Sequence, residues 1–361
     1  DSNFVSDGSV DMGYAVQPAS NLNLSSVLFA SSAKAASSDT VSGTLTGSTA
    51  MTLRLNGTDK NIGTVTYNTT TGDIKATKGS TEGDVALIVQ GKGTINGEEK
   101  DWYYSKQITG TEVVNVTDIV SDTNTPSSID LSTCKIWLEI TDTDGLIYAA
   151  GATEILSITS VEITDIETPA PNTSLDTEAL CATTGVSSTT PQITWTPSDS
   201  TAGYNKSYTA SITLTADTGY EFINSTTATV SGNNATGVTK NDDGTLTVTY
   251  AFSATAKRVI GSVTAPKVPT NNIFTTYYGY EGYDISPVSG SNSELGTQAT
   301  VTFKDSVNPN TEAMAVTWSI ANAGGAAYDQ TPGAKNTFRW TIPAAALTNY
   351  SATDCQGYDA T

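Results

Sequence analysis

A strict alternation of apolar and hydroxyl-bearing residues around Ile212 most constrains how this chain can fold. From Tyr208 to Ala216 every second residue is apolar, and threonine or serine fills each position between. A period of two is that of a β-strand with one buried side and one solvent-facing side. Threonine suits the solvent-facing side because its branched Cβ favours extended backbone. This stretch therefore predicts a half-buried strand.

A short strand carrying a tryptophan is predicted just upstream, where Ile193 and Trp195 flank Thr194 and Pro197 ends the run. The pattern returns later in the chain, around Trp318 and around Trp340. A strand with an inward tryptophan, a turn-rich connection and a longer strand is typical of an antiparallel sandwich layer. Two copies predict sandwich domains in tandem.

Several stretches of the second half resemble the Ig-like repeats of large surface proteins of Gram-positive bacteria (Firmicutes). They are Thr-Trp-Thr-Pro at 194–197, Tyr-Thr-Ala-Ser-Ile-Thr-Leu-Thr-Ala-Asp-Thr-Gly-Tyr-Glu-Phe at 208–222, and Asn-Asp-Asp-Gly-Thr-Leu-Thr-Val-Thr-Tyr-Ala-Phe at 241–252. Val-Thr-Trp-Ser at 316–319 and Ala-Tyr-Asp-Gln-Thr-Pro-Gly at 327–333 resemble a related type. The resemblance covers residues 170–361. It implies an architecture and names no ligand, because such modules serve mostly as spacers.

The N-terminal residues resemble the end of a domain found in surface proteins of gut Firmicutes. Ser-Asp-Gly-Ser-Val at 6–10 and Leu-Asn-Leu-Ser-Ser-Val-Leu-Phe at 22–29 carry this resemblance, although Gln17 stands where the pattern has arginine. The tryptophan-rich body of that domain does not precede them, so its binding role is not carried over. An apolar strand without an obvious hairpin partner is suited to pairing with another subunit, although pairing within its own domain is the favoured interpretation. The candidate intersubunit residues are Leu22, Leu24, Val27, Leu28 and Phe29.

The chain as a whole is predicted to be all-β, with tandem antiparallel Ig-like sandwiches and little helix. The predicted domains are 1–38, a hairpin and strand segment; 39–167, a β-sandwich; 168–266, an Ig-like domain; and 267–361, an Ig-like domain lacking its last strand. Asn96-Gly97 and Asp142–Gly145 predict hairpin turns. The stretch from Lys34 to Gly47 predicts a loop, and the apolar residues from Val113 to Ile119 predict a strand.

Composition excludes several function classes. The 361 residues include 37 acidic and 17 basic residues, for a net charge of −20, which argues against nucleic acid and anionic membranes as partners. Histidine is absent, which excludes Ser-His-Asp and Cys-His catalysis and histidine-ligated zinc. Carboxylate pairs for glycoside hydrolysis are not excluded by spacing, but no motif singles one out. Apolar runs fall short of the roughly 20 residues of a membrane span. The chain is predicted not to be an enzyme.

Candidate binding residues are few. A tyrosine cluster in the last domain is a candidate for a glycan or protein contact, although a strand edge with core aromatics is the favoured interpretation; its members are Tyr277, Tyr278, Tyr280 and Tyr283. No cofactor is predicted. Calcium is an alternative at three acidic sets, although turn chemistry is the favoured explanation of each: Asp1, Asn3 and Asp7; Asp142 and Asp144; and Asn241 to Asp243. We interpret Cys134, Cys181 and Cys355 as small buried hydrophobic residues. The alternative is an intermolecular disulfide bond through Cys355.

The function predicted from these features is that of a structural extracellular protein of the bacterial cell surface. It would act as a stalk, an S-layer or filament subunit, with subunits joined by strand exchange. Its partners would be copies of itself or other surface proteins. The alternatives are an adhesin that binds a glycan or a host protein, and a non-catalytic part of a larger secreted enzyme.

Overall fold

The computed structural model describes residues 26–35, 40–46, 50–267, 296–320, 323–327, 338–351 and 359–360. Strands dominate these residues and helix is scarce, which confirms the all-β class. The chain divides into two compact units, Asp1–Thr159 with Ala216–Ile223, and Ser160–Thr215 with Asn224–Thr361.

Among its described residues, the first unit contains eleven complete strands and very little helix. In chain order the strands are β1 (Val27–Ser31), β2 (Thr40–Leu45), β3 (Thr52–Asn56), β4 (Gly63–Tyr67), β5 (Asp73–Lys78), β6 (Val85–Ile95), β7 (Glu98–Ile108), β8 (Thr111–Asn115), β9 (Lys135–Thr141), β10 (Ile147–Gly151) and β11 (Thr153–Glu154). The helical segments are α1 (Val116–Val120) and the 3-10 turns Thr58–Lys60 and Leu131–Thr133.

These strands form a sandwich of two sheets. One sheet has the order β1-β3-β10-β9-β6-β7-β2 and the other has the order β11-β4-β5-β8. Between them lies an apolar core that includes Leu87, Trp102 and Leu138, all almost fully buried. The predicted turn at Asn96-Gly97 is confirmed. Both residues have positive φ, 53° and 83°, as the two-residue hairpin between β6 and β7 requires.

The strand predicted from Val113 to Ile119 is wrong in its second half. Strand β8 ends at Asn115 and helix α1 begins at Val116. The Asn115 side chain accepts a hydrogen bond from the Thr117 N–H, and the Asp118 carboxylate accepts one from the Asn115 N–H. This capping box satisfies N–H groups that the first helical turn leaves free, so a helix forms where apolar spacing alone favoured a strand.

The loop predicted between Lys34 and Gly47 is also wrong in part, because it contains strand β2. This strand forms one edge of the seven-stranded sheet and pairs antiparallel with β7. Gly43 lies opposite Tyr103, and a Cβ at Gly43 would stand 2.8 Å from the Tyr103 ring. The small, polar composition that suggested a loop is here what lets an edge strand pack against a large ring.

The second unit carries the remaining strands, although residues 156–159 and 220–223, which begin two of them, belong to the first unit. They are β12 (Leu156–Ile163), β13 (Ile193–Thr196), β14 (Thr209–Leu214), β15 (Tyr220–Val230), β16 (Asn233–Asn234), β17 (Gly237–Lys240), β18 (Leu246–Ala251), β19 (Arg258–Thr264), β20 (Gln298–Phe303), β21 (Thr311–Ala315), β22 (Thr317–Ile320), β23 (Phe338–Thr341), β24 (Tyr350–Ser351) and β25 (Asp359–Ala360). Two 3-10 turns, Ala323–Gly325 and Ala344–Leu347, lie among them.

Four sheets arise from these strands, in the orders β12-β15-β16, β13-β14-β18-β17, β21-β20-β19-β24 and β22-β23-β25. The predicted alternation along β14 is confirmed, since Ala210, Ile212 and Leu214 are buried. Trp195 of β13 lies opposite Ala210, and Trp318 of β22 lies opposite Trp340 of β23. The domain limits expected from the sequence stay predictions.

Candidate functional site

The N-terminal strand β1 does not lie flat at the edge of its sheet. It pairs antiparallel with β3, with an irregularity in register between Val27 and Phe29. The Ser31 hydroxyl nevertheless donates a 2.5 Å hydrogen bond to the Gln90 side chain of β6. Strands β3, β10 and β9 separate β1 from β6 in the sheet. The ribbon of β1 and β3 therefore folds over one face of the sheet and brings Ser31 across it.

A second, smaller core lies on this face of the sheet. It contains Ala33, Ile88, Tyr103, Trp137 and Ala149, with Phe29 packed against it. The Phe29 ring meets Trp137 edge-on at 4.8 Å between ring centroids. Ser31 and Ala33 are 0% and 4% exposed. Alternate residues of the segment Val27–Ala33, which we call the N-terminal segment, thus point into this core.

The side chain of Arg54, on β3, binds backbone carbonyls of the N-terminal segment. Its Nε donates to Glu139 Oε2 at 3.0 Å, and its Nη2 donates to the Ala33 carbonyl at 2.6 Å and to Glu139 Oε1 at 3.5 Å. Its Nη1 donates to the carbonyls of Ser31 and Thr52. A guanidinium has five N–H donors, so every donor of Arg54 has an acceptor here.

Glu139, the carboxylate partner of Arg54, also accepts a hydrogen bond from a tryptophan. The Trp137 indole N–H donates a 2.6 Å hydrogen bond to Glu139 Oε2, the oxygen that also accepts from Arg54 Nε. Both charged side chains are only 1% exposed. Buried ions are tolerated when they are paired and hydrogen-bonded, as they are here.

Neither Arg54 nor Glu139 is among the candidate site residues expected from the sequence. Period-two alternation assigns Glu139 to solvent, because its neighbours Leu138 and Ile140 enter the main core. Arg54 lies between Leu53 and Leu55 in the same alternation, although Leu53 is 39% exposed. Their burial depends on the ribbon covering the outer face of the sheet, which is a tertiary event. The signal in the sequence is weak: Arg54 is the one charged residue of β3, and Glu139 shares β9 with Lys135.

The predicted intersubunit residues are divided by the structure. Val27, Leu28 and Phe29 lie in β1, paired with β3 of the same chain, and Leu28 is 42% exposed at the irregularity. Leu22 and Leu24 lie outside the described residues, as does the tyrosine cluster predicted to contact glycan or protein: Tyr277, Tyr278, Tyr280 and Tyr283. The intersubunit role stays a prediction.

A second cluster, which we call the polar node, lies in the second unit and is centred on Arg258, the first residue of β19. Arg258 Nε and Nη2 donate to the two carboxylate oxygens of Asp305 at 3.0 and 2.8 Å, and Nη2 also donates to the Val307 carbonyl. The Tyr204 hydroxyl donates to Asp305 at 2.8 Å and accepts from the Asn172 amide at 2.6 Å. The node thus fastens the loop before β14 to the turn after β20.

The electrostatics of the polar node follow from this geometry. The Arg258 guanidinium, by its hydrogen bonds, holds the pKa of Asp305 well below its usual range. The same hydrogen bonds raise the pKa of Arg258. The Arg258 side chain is 13% exposed and lies 3.8 Å from the centre of the Phe303 ring. An arginine that binds a carboxylate through two hydrogen bonds and stacks on a ring makes a stronger and more precisely oriented interaction than a single surface contact.

A cleft of about 420 Å³ opens beside the polar node. Tyr350 lines it and stacks on Phe303 at 5.5 Å, with its hydroxyl donating to Glu312. Asn205 donates to the Asn349 side chain at 3.0 Å. Two aromatic rings, two amides and two cations surround the cleft: Tyr204, Tyr350, Asn205, Asn349, Lys206 and Arg258. Such a mixture of flat rings and polar groups suits a polar organic ligand.

In two of the acidic sets considered for calcium, an aspartate carboxylate accepts hydrogen bonds from residues of its own turn. Asp142 Oδ1 accepts hydrogen bonds from the N–H groups of Asp144 and Leu146. Asp243 Oδ1 accepts from both the N–H and the hydroxyl of Thr245. The set at residues 1–7 lies outside the described part of the chain. Across the described ranges, no group of three or more acidic or cysteine side chains is placed to hold a metal ion.

Two cysteines fall within the described residues, and both are free thiols. Cys181 is fully buried. Burial raises the pKa of the Cys134 thiol to about 11. No helix among the described residues has the length and apolarity needed to span a membrane.

Comparison with known proteins gives little information about this chain. No protein family matches the chain, and no curated protein matches it either. One similar solved structure comes from work on host cell surface retention of a 1.5-MDa bacterial ice-binding adhesin. It shares 13% sequence identity with a TM-score of 0.17, over 57% of this chain and 66% of that one. A likeness this weak carries no argument about function.

Proposed function

We propose that this chain is a structural protein of the bacterial cell surface, exposed outside the cell as part of a stalk, an S-layer or a filament. The polar node is the observation that carries the proposal. Its Tyr204–Asp305 hydrogen bond joins the loop before β14 to the turn after β20, and within the sheet of β20 the bidentate pair and the stacking of Arg258 on Phe303 hold Asp305 in place. Such a joint resists tension between the sheet of β14 and the sheet of β20, which is what a spacer must do.

The surface chemistry is consistent with this role. Threonine fills most of the outward positions of β14 and β18, where its branched side chain stabilises the strand without adding charge. The net charge of −20 favours solubility. On this proposal the chain is not an enzyme, and its partners are copies of itself or other surface proteins.

Two measurements test the proposal. Antibodies against the chain should label intact cells of the encoding bacterium, and external protease should remove the label. Labelling that requires cell lysis would contradict an external location. In single-molecule pulling, Asp305→Asn should lower the force at which the second unit unfolds, because the bidentate pair is lost. The matched control is Asp243→Asn, which loosens only a local turn.

A second candidate function, an adhesin, is favoured by the cleft beside the polar node. Its rings and amides provide stacking faces and hydrogen-bond partners of the kind that sugars use. A glycan array probed with the whole chain should give binding that is lost in Tyr350→Ala and in Asn349→Ala. The control is Asn234→Ala, an exposed amide in β16. Binding that is equal in all the variants would exclude the cleft.

A further inference from the structure

We propose that Asn96 is a site of spontaneous covalent modification, at which the side-chain amide is lost to give aspartate and isoaspartate. Asparagine is a chemically labile residue, and glycine after it increases the lability because no Cβ shields the glycine nitrogen. The chain contains two such pairs, Asn56-Gly57 and Asn96-Gly97. The sequence does not distinguish between them, whereas their surroundings in the structure favour reaction at Asn96.

The Asn96-Gly97 pair lies at the tip of the hairpin between β6 and β7, and both residues are exposed. In the part of the chain that the structure describes, neither the Asn96 side chain nor the Gly97 N–H has a hydrogen-bond partner. A Cβ at Gly97 would have no atom within 4 Å. The amide and the nitrogen that attacks it are therefore both accessible.

The Asn56-Gly57 pair has the same two residues in a closed setting. Gly57 is buried, and its N–H donates to the Ala149 carbonyl at 2.9 Å. The Asn56 side-chain oxygen accepts hydrogen bonds from the N–H and the hydroxyl of Thr58, at 3.0 and 2.6 Å. A Cβ at Gly57 would stand 2.3 Å from the Ile62 side chain. The attacking nitrogen and the amide are thus each held by other partners.

The reaction needs only water as a co-reactant. The Gly97 nitrogen forms a bond to the side-chain carbonyl carbon of Asn96, its proton passes to the departing amide nitrogen, and ammonia leaves. The product is a five-membered succinimide ring. Water then adds to one of the two ring carbonyls and breaks the bond between that carbonyl and the ring nitrogen. Opening at one carbonyl gives aspartate, and opening at the other gives isoaspartate, whose main chain runs through the former side chain.

The hairpin tip has the freedom that ring closure requires. The main chain must rotate at Asn96, whose φ of 53° belongs to the closed turn. Strand β9 pairs with β6 only as far as Gln90, and β2 pairs with β7 only from Asp101. Within the described ranges, residues 93–100 therefore pair only with each other. Such an end can open locally while the rest of the sheet stays closed.

The two products change the tip in different ways. Aspartate adds a negative charge beside Glu98 and Glu99, which are both exposed. Isoaspartate lengthens the main chain between residues 96 and 97, so the two-residue turn that sets Ile95 opposite Glu98 no longer fits. Copies of the chain that persist for a long time should therefore accumulate a more acidic and less tightly paired hairpin tip.

The test follows both pairs in the folded whole chain during incubation at mildly alkaline pH. Peptide mass spectrometry measures the loss of each amide, and electron-transfer fragmentation separates aspartate from isoaspartate. Asn96 should react at least about tenfold faster than Asn56, because the Gly57–Ala149 hydrogen bond must open before Asn56 can react. In a chain kept unfolded in urea, the two rates should become similar, because the surroundings that distinguish the pairs are lost.

Matched variants give a second measurement. In isoelectric focusing, the main acidic form that accumulates in the parent should be absent from Asn96→Gln and unchanged in Asn56→Gln, since glutamine closes such a ring far more slowly.

Three results would overturn the proposal: equal rates at the two pairs in the folded chain, an Asn96 that stays intact while the unfolded chain reacts, or the same acidic form in Asn96→Gln. None of these outcomes depends on where the protein acts, so they are independent of the cell-surface role.

Discussion

The buried pair of Arg54 and Glu139 allows a sharp test of how the ribbon is held. Replacing Glu139 by glutamine keeps the shape and an acceptor for the Trp137 N–H but removes the negative charge. Both side chains are 1% exposed, so the Arg54 charge cannot be compensated by water. Breaking one partner of such a pair costs about 3–5 kcal/mol in unfolding free energy. That is a large share of the roughly 5–15 kcal/mol that stabilises a typical domain.

The effect of Glu139→Gln on the free energy of unfolding should reverse its sign when Arg54 is absent. In an Arg54→Met background, Glu139 is a buried carboxylate that keeps only the Trp137 N–H as a partner. Glutamine removes that uncompensated charge, so Glu139→Gln should then stabilise the protein. Double-mutant cycles separate the pair from its surroundings, and groups in direct contact typically couple by about 0.5–3 kcal/mol or more.

Hydrogen exchange of the β9 amides provides the assay, because the slowest amides report the opening free energy of the first unit without interference from the second. The control is Asp101→Asn, which breaks an exposed pair with Lys92 whose side chains are 46% and 72% exposed. It should change stability by no more than about 1 kcal/mol. An effect of Glu139→Gln that has the same size and sign with and without Arg54 would refute the reasoning.

Three further predictions follow from single sites. The Cys134 thiol, with its pKa raised to about 11 by burial, should alkylate at pH 8 roughly 100-fold more slowly than an ordinary thiol, as measured from the mass of its peptide. The pKa of Asp305 is depressed by Arg258, so its stabilisation is present above the ordinary aspartate pKa of about 3.9 and falls away in acid. Thermal unfolding of Asp305→Asn should therefore approach that of the parent as the pH falls below about 4 toward the depressed pKa of Asp305. Gly43→Ala should cost about 1–3 kcal/mol in urea unfolding by pressing on Tyr103.

Each of these has a control within the chain. Cys134 should react at the ordinary rate once the chain is unfolded, and fast reaction in the folded chain would contradict its burial. Asp305→Asn should lower the melting temperature at neutral pH. A difference in melting temperature between parent and variant that widens in acid would contradict the predicted direction. Gly151 has open space where a Cβ would stand, so Gly151→Ala should be neutral beside Gly43→Ala.

Local pattern was sufficient for strands whose neighbours are close in the chain. The alternation along β14 and the Asn96-Gly97 turn each predicted the observed element, because period and turn chemistry act over a few residues. It failed where a local hydrogen bond competed with the period, as at Asn115, and where an edge strand was too polar to resemble one, as at Gly43.

The sequence alone determined the all-β class, the alternation that buries one side of each strand, and the turns between neighbours. The tertiary structure alone decided that a ribbon would fold over the outer face of the first sheet, and so bury Arg54 beside Glu139. It also brought Arg258 to Asp305 and Tyr204, residues that lie far apart in the chain. The physical reason is that periodicity records which side of a strand is apolar, whereas the meeting of distant polar groups depends on how whole sheets are stacked.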